Sequence, residues 1–195
     1  MEDGQGEQEE IAPGEPGGVS RRLTANIRWL TPLGSPVNVR GVLIYSLSLA
    51  NLAATEAFGR RLGELLFPGA VVALIGPLGA GKTHLVRAVA EGLGVKNPAA
   101  VNSPTFVLIQ EYPARLPIYH FDAYRLSGSR EFGDLGVTEY FHGGGVCLIE
   151  WADKVEAALP AEHLRIIIEV VDENQRRFQI AANGEMYEQL LSQLI

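Results

Sequence analysis

The chain has 195 residues, 47% of them hydrophobic and 20% charged, close to the averages for a soluble globular protein of one domain. Its formal charge of -7 excludes a protein that grips DNA or RNA by bulk electrostatics, which needs a basic face. The single cysteine, Cys147, excludes an internal disulfide; it lies in an apolar run and reads as a buried, inert thiol.

Residues 1–18 carry six acids (Glu2, Asp3, Glu7, Glu9, Glu10 and Glu15), several glycines and no basic residue. Such a segment has too little apolar surface to offset its ordering entropy and is expected to be disordered. Residues 19–41 read as a linker, so that 1–41 form an acidic extension and 42–195 the domain. The N-terminus lacks the basic-then-apolar pattern of a signal peptide, and no apolar run reaches the ~18 residues of a membrane span. No membrane contact and a cytoplasmic location are the expectations.

Val42-Leu-Ile-Tyr45 predicts an edge strand, and Asn51 predicts the cap of a helix to about Leu66, with Leu52, Phe58, Leu62, Leu65 and Leu66 on one face. Val71-Val-Ala-Leu-Ile75 is continuously apolar, as for a strand buried on both faces. The following helix turns Leu85, Val86, Val89, Ala90 and Leu93 inward and stops at Gly94. Further strands are predicted over 106–112, 118–121, 146–149, 163–171 and 177–181, the last two as an antiparallel hairpin. Helices are predicted over 131–141, 152–159 and 185–194. The expected fold is α/β: a P-loop NTPase-like three-layer sandwich, its mixed sheet largely parallel near the P-loop and antiparallel toward the C-terminus.

Gly76-Pro-Leu-Gly-Ala-Gly-Lys82-Thr83 is that P-loop. Its backbone must curl around phosphates with N–H groups turned inward, which Gly76, Gly79 and Gly81 permit and to which Ala80 contributes. Lys82 would reach the β and γ phosphates, and the Thr83 hydroxyl would bind Mg²⁺. A chance match is expected in under roughly one per cent of chains this long. The apolar strand before it and the amphipathic helix after it supply the context the motif requires.

Hydrolysis also needs a carboxylate near Mg²⁺ and a group to position water. Ile118-Tyr-His-Phe-Asp122 and Val146-Cys-Leu-Ile-Glu150 each place an acid at the end of an apolar strand, where open α/β sheets bind ligands. Residue chemistry does not rank Asp122 against Glu150. In Ser103-Pro-Thr105, Thr105 is a candidate sensor of the γ-phosphate, against the plainer role of starting a strand. His120 reads as a structural histidine, Trp151 as a packing residue, and Arg125 as a surface residue or a phosphate contact.

Four blocks in order carry a resemblance to a known family: Leu78-Gly-Ala-Gly-Lys-Thr83, Ser103-Pro-Thr-Phe106, His120-Phe-Asp-Ala-Tyr-Arg125 and Leu148-Ile-Glu-Trp151. Together they resemble the bacterial TsaE (YjeE) family, the P-loop ATPase of tRNA threonylcarbamoyladenosine synthesis, over about residues 46–171. The resemblance implies ATP and Mg²⁺ as cofactors, Thr83 and Glu150 at the metal, Thr105 in a switch-like loop and Asp122 required for hydrolysis. It implies two partners, the threonylcarbamoyl transferase (TsaD family) and its paralogous companion (TsaB family). Their product is the modified adenosine beside the anticodon of tRNAs that read codons starting with A, and ATP use drives turnover of the assembly. Contact with tRNA would be indirect, through the complex. The family often has Asp where Pro77 stands and a hydroxyl residue at His84.

The competing class is a small-molecule kinase, for which only Arg125 and Arg130 are candidate lid arginines. A GTPase is disfavoured because no Asn-Lys-x-Asp segment occurs. A nucleotide-gated scaffold with negligible hydrolysis is the third class, and Asp122 and Glu150 speak against it.

Overall fold

The computed structural model describes residues 36–39 and 42–195. The expectation of disorder over the acidic N-terminal residues lies outside this range. Among the described residues, eight strands form one sheet in the order β1-β2-β8-β7-β3-β6-β5-β4. They are β1 (Val37–Val39), β2 (Val42–Leu49), β3 (Val71–Ile75), β4 (Ile109–Tyr112), β5 (Ile118–Asp122), β6 (Val146–Glu150), β7 (His163–Val170) and β8 (Arg176–Asn183). Strands β7, β3, β6 and β5 are parallel neighbours, and every other pairing is antiparallel.

This is the mixed sheet expected from the sequence, with one shift at its start. Strand β1 lies within the stretch read as a linker and pairs with β2, so the sheet begins before residue 42. With β1 on one side and β8 on the other, β2 is an interior strand and not an edge.

Five helices cover the sheet among the described residues: α1 (Leu52–Leu65), α2 (Lys82–Gly92), α3 (Ser129–Asp134), α4 (Val137–Phe141) and α5 (Glu185–Leu194). Asn51 caps α1 as predicted, its side chain accepting from the Ala54 N–H at 2.9 Å. Of the face expected for α1, Phe58, Leu62 and Leu66 are buried, Leu65 packs against the core and Leu52 is 50% exposed. Thr55, Gly59 and Gly63 are buried as well, the two glycines letting α1 lie close against α2. All five apolar residues assigned to the inner face of the P-loop helix are buried.

The core has two parts, one on each face. Leu85, Val86 and Val89 of α2 pack with Phe58 and Leu62 of α1 and Leu190 and Leu191 of α5 on one side. Phe132 of α3, Val137 of α4 and Val155 pack against Phe121 and Ile149 on the other. The alternation of β5 and β6 decides which residues face which layer. Phe121 and Ile149 enter the second cluster, leaving His120, Asp122, Leu148 and Glu150 on the α2 side.

Three elements differ from the sequence expectation. The helix expected over 131–141 is two short helices, because Gly136 stands at φ 73° between them. The segment Ala152–Ala158 is a 3₁₀ helix broken at Val155 (φ -124°) rather than α-helical. The strand expected from residue 106 begins only at Ile109. The N–H groups of Val107 and Leu108 both donate to the Pro104 carbonyl, and the resulting turn holds the chain off the sheet.

Candidate active site

The site is built where the parallel strands end. β3 delivers the chain at Ile75 into the Gly76–Gly81 loop, and α2 starts at Lys82. A Cβ at Gly76 would stand 2.7 Å from the Ile168 carbonyl oxygen of β7, so only glycine fits there. Gly79 and Gly81 take φ values of 77° and 104°, in the left-handed region that glycine occupies without steric cost. Arg176, at the start of β8, donates from Nε to the Ala80 carbonyl at 3.0 Å and braces the loop from the side.

Lys82 is buried, at 5% exposure. Its ammonium donates to the carbonyls of Gly76 (2.7 Å) and Pro77 (2.9 Å) and lies 3.7 Å from the centre of a Trp151 ring. Pro77 thus offers no N–H but serves as an acceptor, for Lys82 and also for the Ala80 N–H. Burial pulls the Lys82 pKa below the usual 10.5, while the negative charges of Glu150, Asp122 and Asp153 oppose that shift.

The two carboxylates that residue chemistry left unranked have different surroundings. Asp122 and Glu150 are register partners across β5 and β6, both nearly fully buried. Glu150 faces the start of α2. The Thr83 hydroxyl donates to it at 2.8 Å from Oε1 and 3.0 Å from Oε2, and His120 Nε2 lies 2.9 Å from Oε1. Asp122 faces the Ser-Pro-Thr loop. Its Oδ2 accepts from the hydroxyls of both Ser103 and Thr105, which are 2.7 Å apart, and its Oδ1 accepts from the Tyr124 N–H at 2.9 Å. Loop and strand are further joined by the Asp122 N–H, which donates to the Leu108 carbonyl at 3.0 Å.

The remaining candidates lie around this centre. Trp151 does pack, but on Lys82 and, at 4.9 Å between ring centres, on Tyr124; its backbone is left-handed (φ 58°) directly after Glu150. Arg125 lies over the Phe106 ring, 4.4 Å from its centre, and Phe106 itself is 84% exposed. Cys147 is buried, and burial pushes its thiol up to about 12, as fits an inert side chain.

Two residues of the cluster were not read as site residues from the sequence. Ser103 shares Asp122 with Thr105, and the Ser-x-Thr spacing was the available signal. His120 contacts Glu150 rather than merely filling the core; the sign was its two-residue spacing from Asp122, which puts both on one face of β5.

The donor set suits a magnesium–triphosphate group. Mg²⁺ prefers hard oxygen ligands and usually takes only one or two from the protein, completing its shell with phosphates and water. Thr83 and Glu150 supply that number of adjoining oxygens, and no larger cluster of His, Cys, Asp or Glu occurs among the described residues. The first-turn N–H groups of α2 have no partner within the helix and, with Lys82, present positive charge beside them.

A glycine loop between a parallel strand and a helix, with Lys and Thr opening that helix and a carboxylate ending the adjacent strand, defines a P-loop NTPase-like α/β protein. The comparisons narrow this class. The family model described as "Threonylcarbamoyl adenosine biosynthesis protein TsaE" matches residues 49–178. The chain is 45% identical to the Bacillus subtilis tRNA threonylcarbamoyladenosine biosynthesis protein TsaE, over 74% of this chain and 89% of that protein. It is 41% identical to the Treponema pallidum protein of the same name, over 65% of this chain and 93% of that one. Among solved structures it matches the crystal structure of Bacillus subtilis YdiB with a TM-score of 0.66 and 38% identity, covering 78% of this chain and 95% of that one. The chain belongs to the TsaE family.

Proposed function

We propose that this chain is a magnesium-dependent ATPase that serves threonylcarbamoyl modification of the adenosine next to the anticodon, in tRNAs reading codons that start with A. The observation that carries this is the Thr83 hydroxyl on Glu150, beside the buried Lys82 at the mouth of the glycine loop. In this role Gly76, Gly79, Ala80 and Gly81 shape the phosphate cradle, and Lys82 and the first-turn N–H groups of α2 neutralise phosphate oxygens. Thr83 and Glu150 hold magnesium, which supplies charge neutralisation at the transferring phosphoryl group. Asp122 holds the Ser103 and Thr105 hydroxyls and so fixes the loop that presents Thr105 to the reacting end of the nucleotide.

Its partners are the threonylcarbamoyl transferase of the TsaD family and its TsaB-type companion, and hydrolysis drives turnover of their complex in the cytoplasm. Contact with tRNA is indirect, consistent with a net charge of -7. No helix among the described residues is long and apolar enough to cross a membrane. Arg125 would be a lid arginine in a small-molecule kinase, yet it lies over the exposed Phe106 ring, which gives that alternative no support.

The test is ATP hydrolysis by the full chain alone, with candidate metabolites, and with the transferase and its companion. Stimulation by the two proteins is the expected outcome. Phosphate transfer to a metabolite, with no response to the proteins, would refute the proposal.

A further inference from the structure

His120 has no part in the P-loop chemistry outlined so far, yet it is fully buried against that chemistry's carboxylate. It sits on β5 opposite Leu148 of β6, two residues back from the Asp122–Glu150 register pair. The diagonal brings its Nε2 to 2.9 Å from Glu150 Oε1. Its other ring nitrogen, Nδ1, is buried and has no hydrogen-bond partner among the described residues.

These contacts decide which way the bond runs. An ionised carboxylate only accepts, so Nε2 carries the hydrogen. His120 is therefore an Nε2–H donor aimed at one oxygen of Glu150. The Thr83 hydroxyl spans both oxygens, so His120 is the contact that distinguishes Oε1 from Oε2.

We infer that His120 is a positioning residue for the magnesium site: by holding Oε1 it presents the Oε2 edge of Glu150 beside the Thr83 hydroxyl. The inference rests on the assignment of Thr83 and Glu150 to magnesium. Outer hydrogen bonds of this kind fix a ligand's orientation, and their loss typically weakens metal affinity by about 10- to 100-fold. A histidine that only filled space would have no such effect.

The experiment uses the full chain and measures ATP affinity across a magnesium titration and in EDTA, for wild type, H120F and H120Q. H120F keeps a flat ring and removes the donor; the Gln amide can place a donor near the position of Nε2. The expected result is a magnesium half-saturation about tenfold higher in H120F, unchanged ATP affinity in EDTA, and recovery in H120Q. If wild-type affinity ignores magnesium, the metal assignment of Thr83 and Glu150 fails and takes this inference with it. If wild type responds and folded H120F titrates like it, the inference alone fails. Should H120F not fold, H120A and H120Q carry the same comparison, and equal half-saturation in those two overturns it. A readout free of nucleotide and metal is the nitrogen NMR spectrum of the His120 ring: a hydrogen on Nε2 is expected, and a ring whose Nε2 carries none would refute the geometry.

Discussion

The two halves of the sheet differ in what they carry. Among the parallel strands, β3, β6 and β5 end in the glycine loop, Glu150 and Asp122, while the antiparallel flank of β1, β2 and β8 supplies apolar core and, from Arg176, a hydrogen bond to the loop. Strand direction explains the division. Parallel strands bring several carboxyl ends, and the loops that follow them, to one edge of the sheet; antiparallel strands alternate their ends and cannot gather a site in this way. The flank stabilises from a distance, through contacts such as Phe58 on Phe178 (5.3 Å, edge to face) and the Tyr187 hydroxyl accepting from the Val71 N–H at the root of β3.

The division predicts that stability and chemistry separate by half. The largest effect is expected in the flank. Phe178→Ala removes a fully buried ring and is expected to lower stability by about 3–5 kcal/mol in denaturant unfolding, with ATP affinity of the folded fraction unchanged. A matching loss of affinity would break the division. Next in size is Lys82→Ala, which removes a charged donor from the loop and is expected to weaken ATP binding about 100-fold or more in equilibrium titration. Its thermal midpoint should move little compared with that of Phe178→Ala.

The same contrast governs what could be read from the sequence. Most of the parallel half was legible, because β3 is a continuous apolar run, β5 and β6 are largely apolar runs ending in an acid, and the loop motif fixes their neighbours: β3, α2, β5 and β6 all fall where the pattern put them. Legibility ended where tertiary contact overrides local pattern. Phe106 and Val107 look like strand residues, but the Pro104 carbonyl captures the next N–H groups and leaves both side chains exposed. Gly136 splits what reads as one helix, and β1 is too short to give a periodic signal. In the site, the positions of Asp122 and Glu150 at strand ends were visible. Their division of labour was not, because it depends on which loop each side chain faces across the sheet. The contact His120 makes was hidden for the same reason: alternation says which face it takes, but not that Glu150 lies diagonally across from it.

Within the site, the two carboxylates sharpen the comparison. Asp122→Ala and Glu150→Ala are both expected to leave ATP binding measurable and to depress partner-stimulated hydrolysis about 10- to 100-fold. They should differ in magnesium. Glu150→Ala is expected to raise the magnesium requirement, whereas Asp122→Ala, whose contacts are Ser103, Thr105 and the Tyr124 N–H, should not. Normal hydrolysis in both variants would mean that neither strand end belongs to the reaction.

The smallest effect concerns Lys82 and pH. Burial lowers its folded-state pKa below the 10.5 of an exposed lysine, even though Glu150, Asp122 and Asp153 pull the other way. Between the lowered value and 10.5 the unfolded chain holds more protons than the folded one, so this group's contribution to stability rises with pH through that window. Nucleotide binding has the opposite sign. Phosphate oxygens favour the charged ammonium, so binding must take up a proton once pH exceeds the folded pKa, and affinity falls by up to about tenfold per pH unit. The fall is expected to begin below pH 10.5 in the wild-type chain. Lys82→Arg, whose guanidinium does not titrate in this range, should bind with no such slope, whatever its absolute affinity. A wild-type affinity that stays flat to pH 10.5 would show that the Lys82 ammonium is not the cation that meets the phosphates.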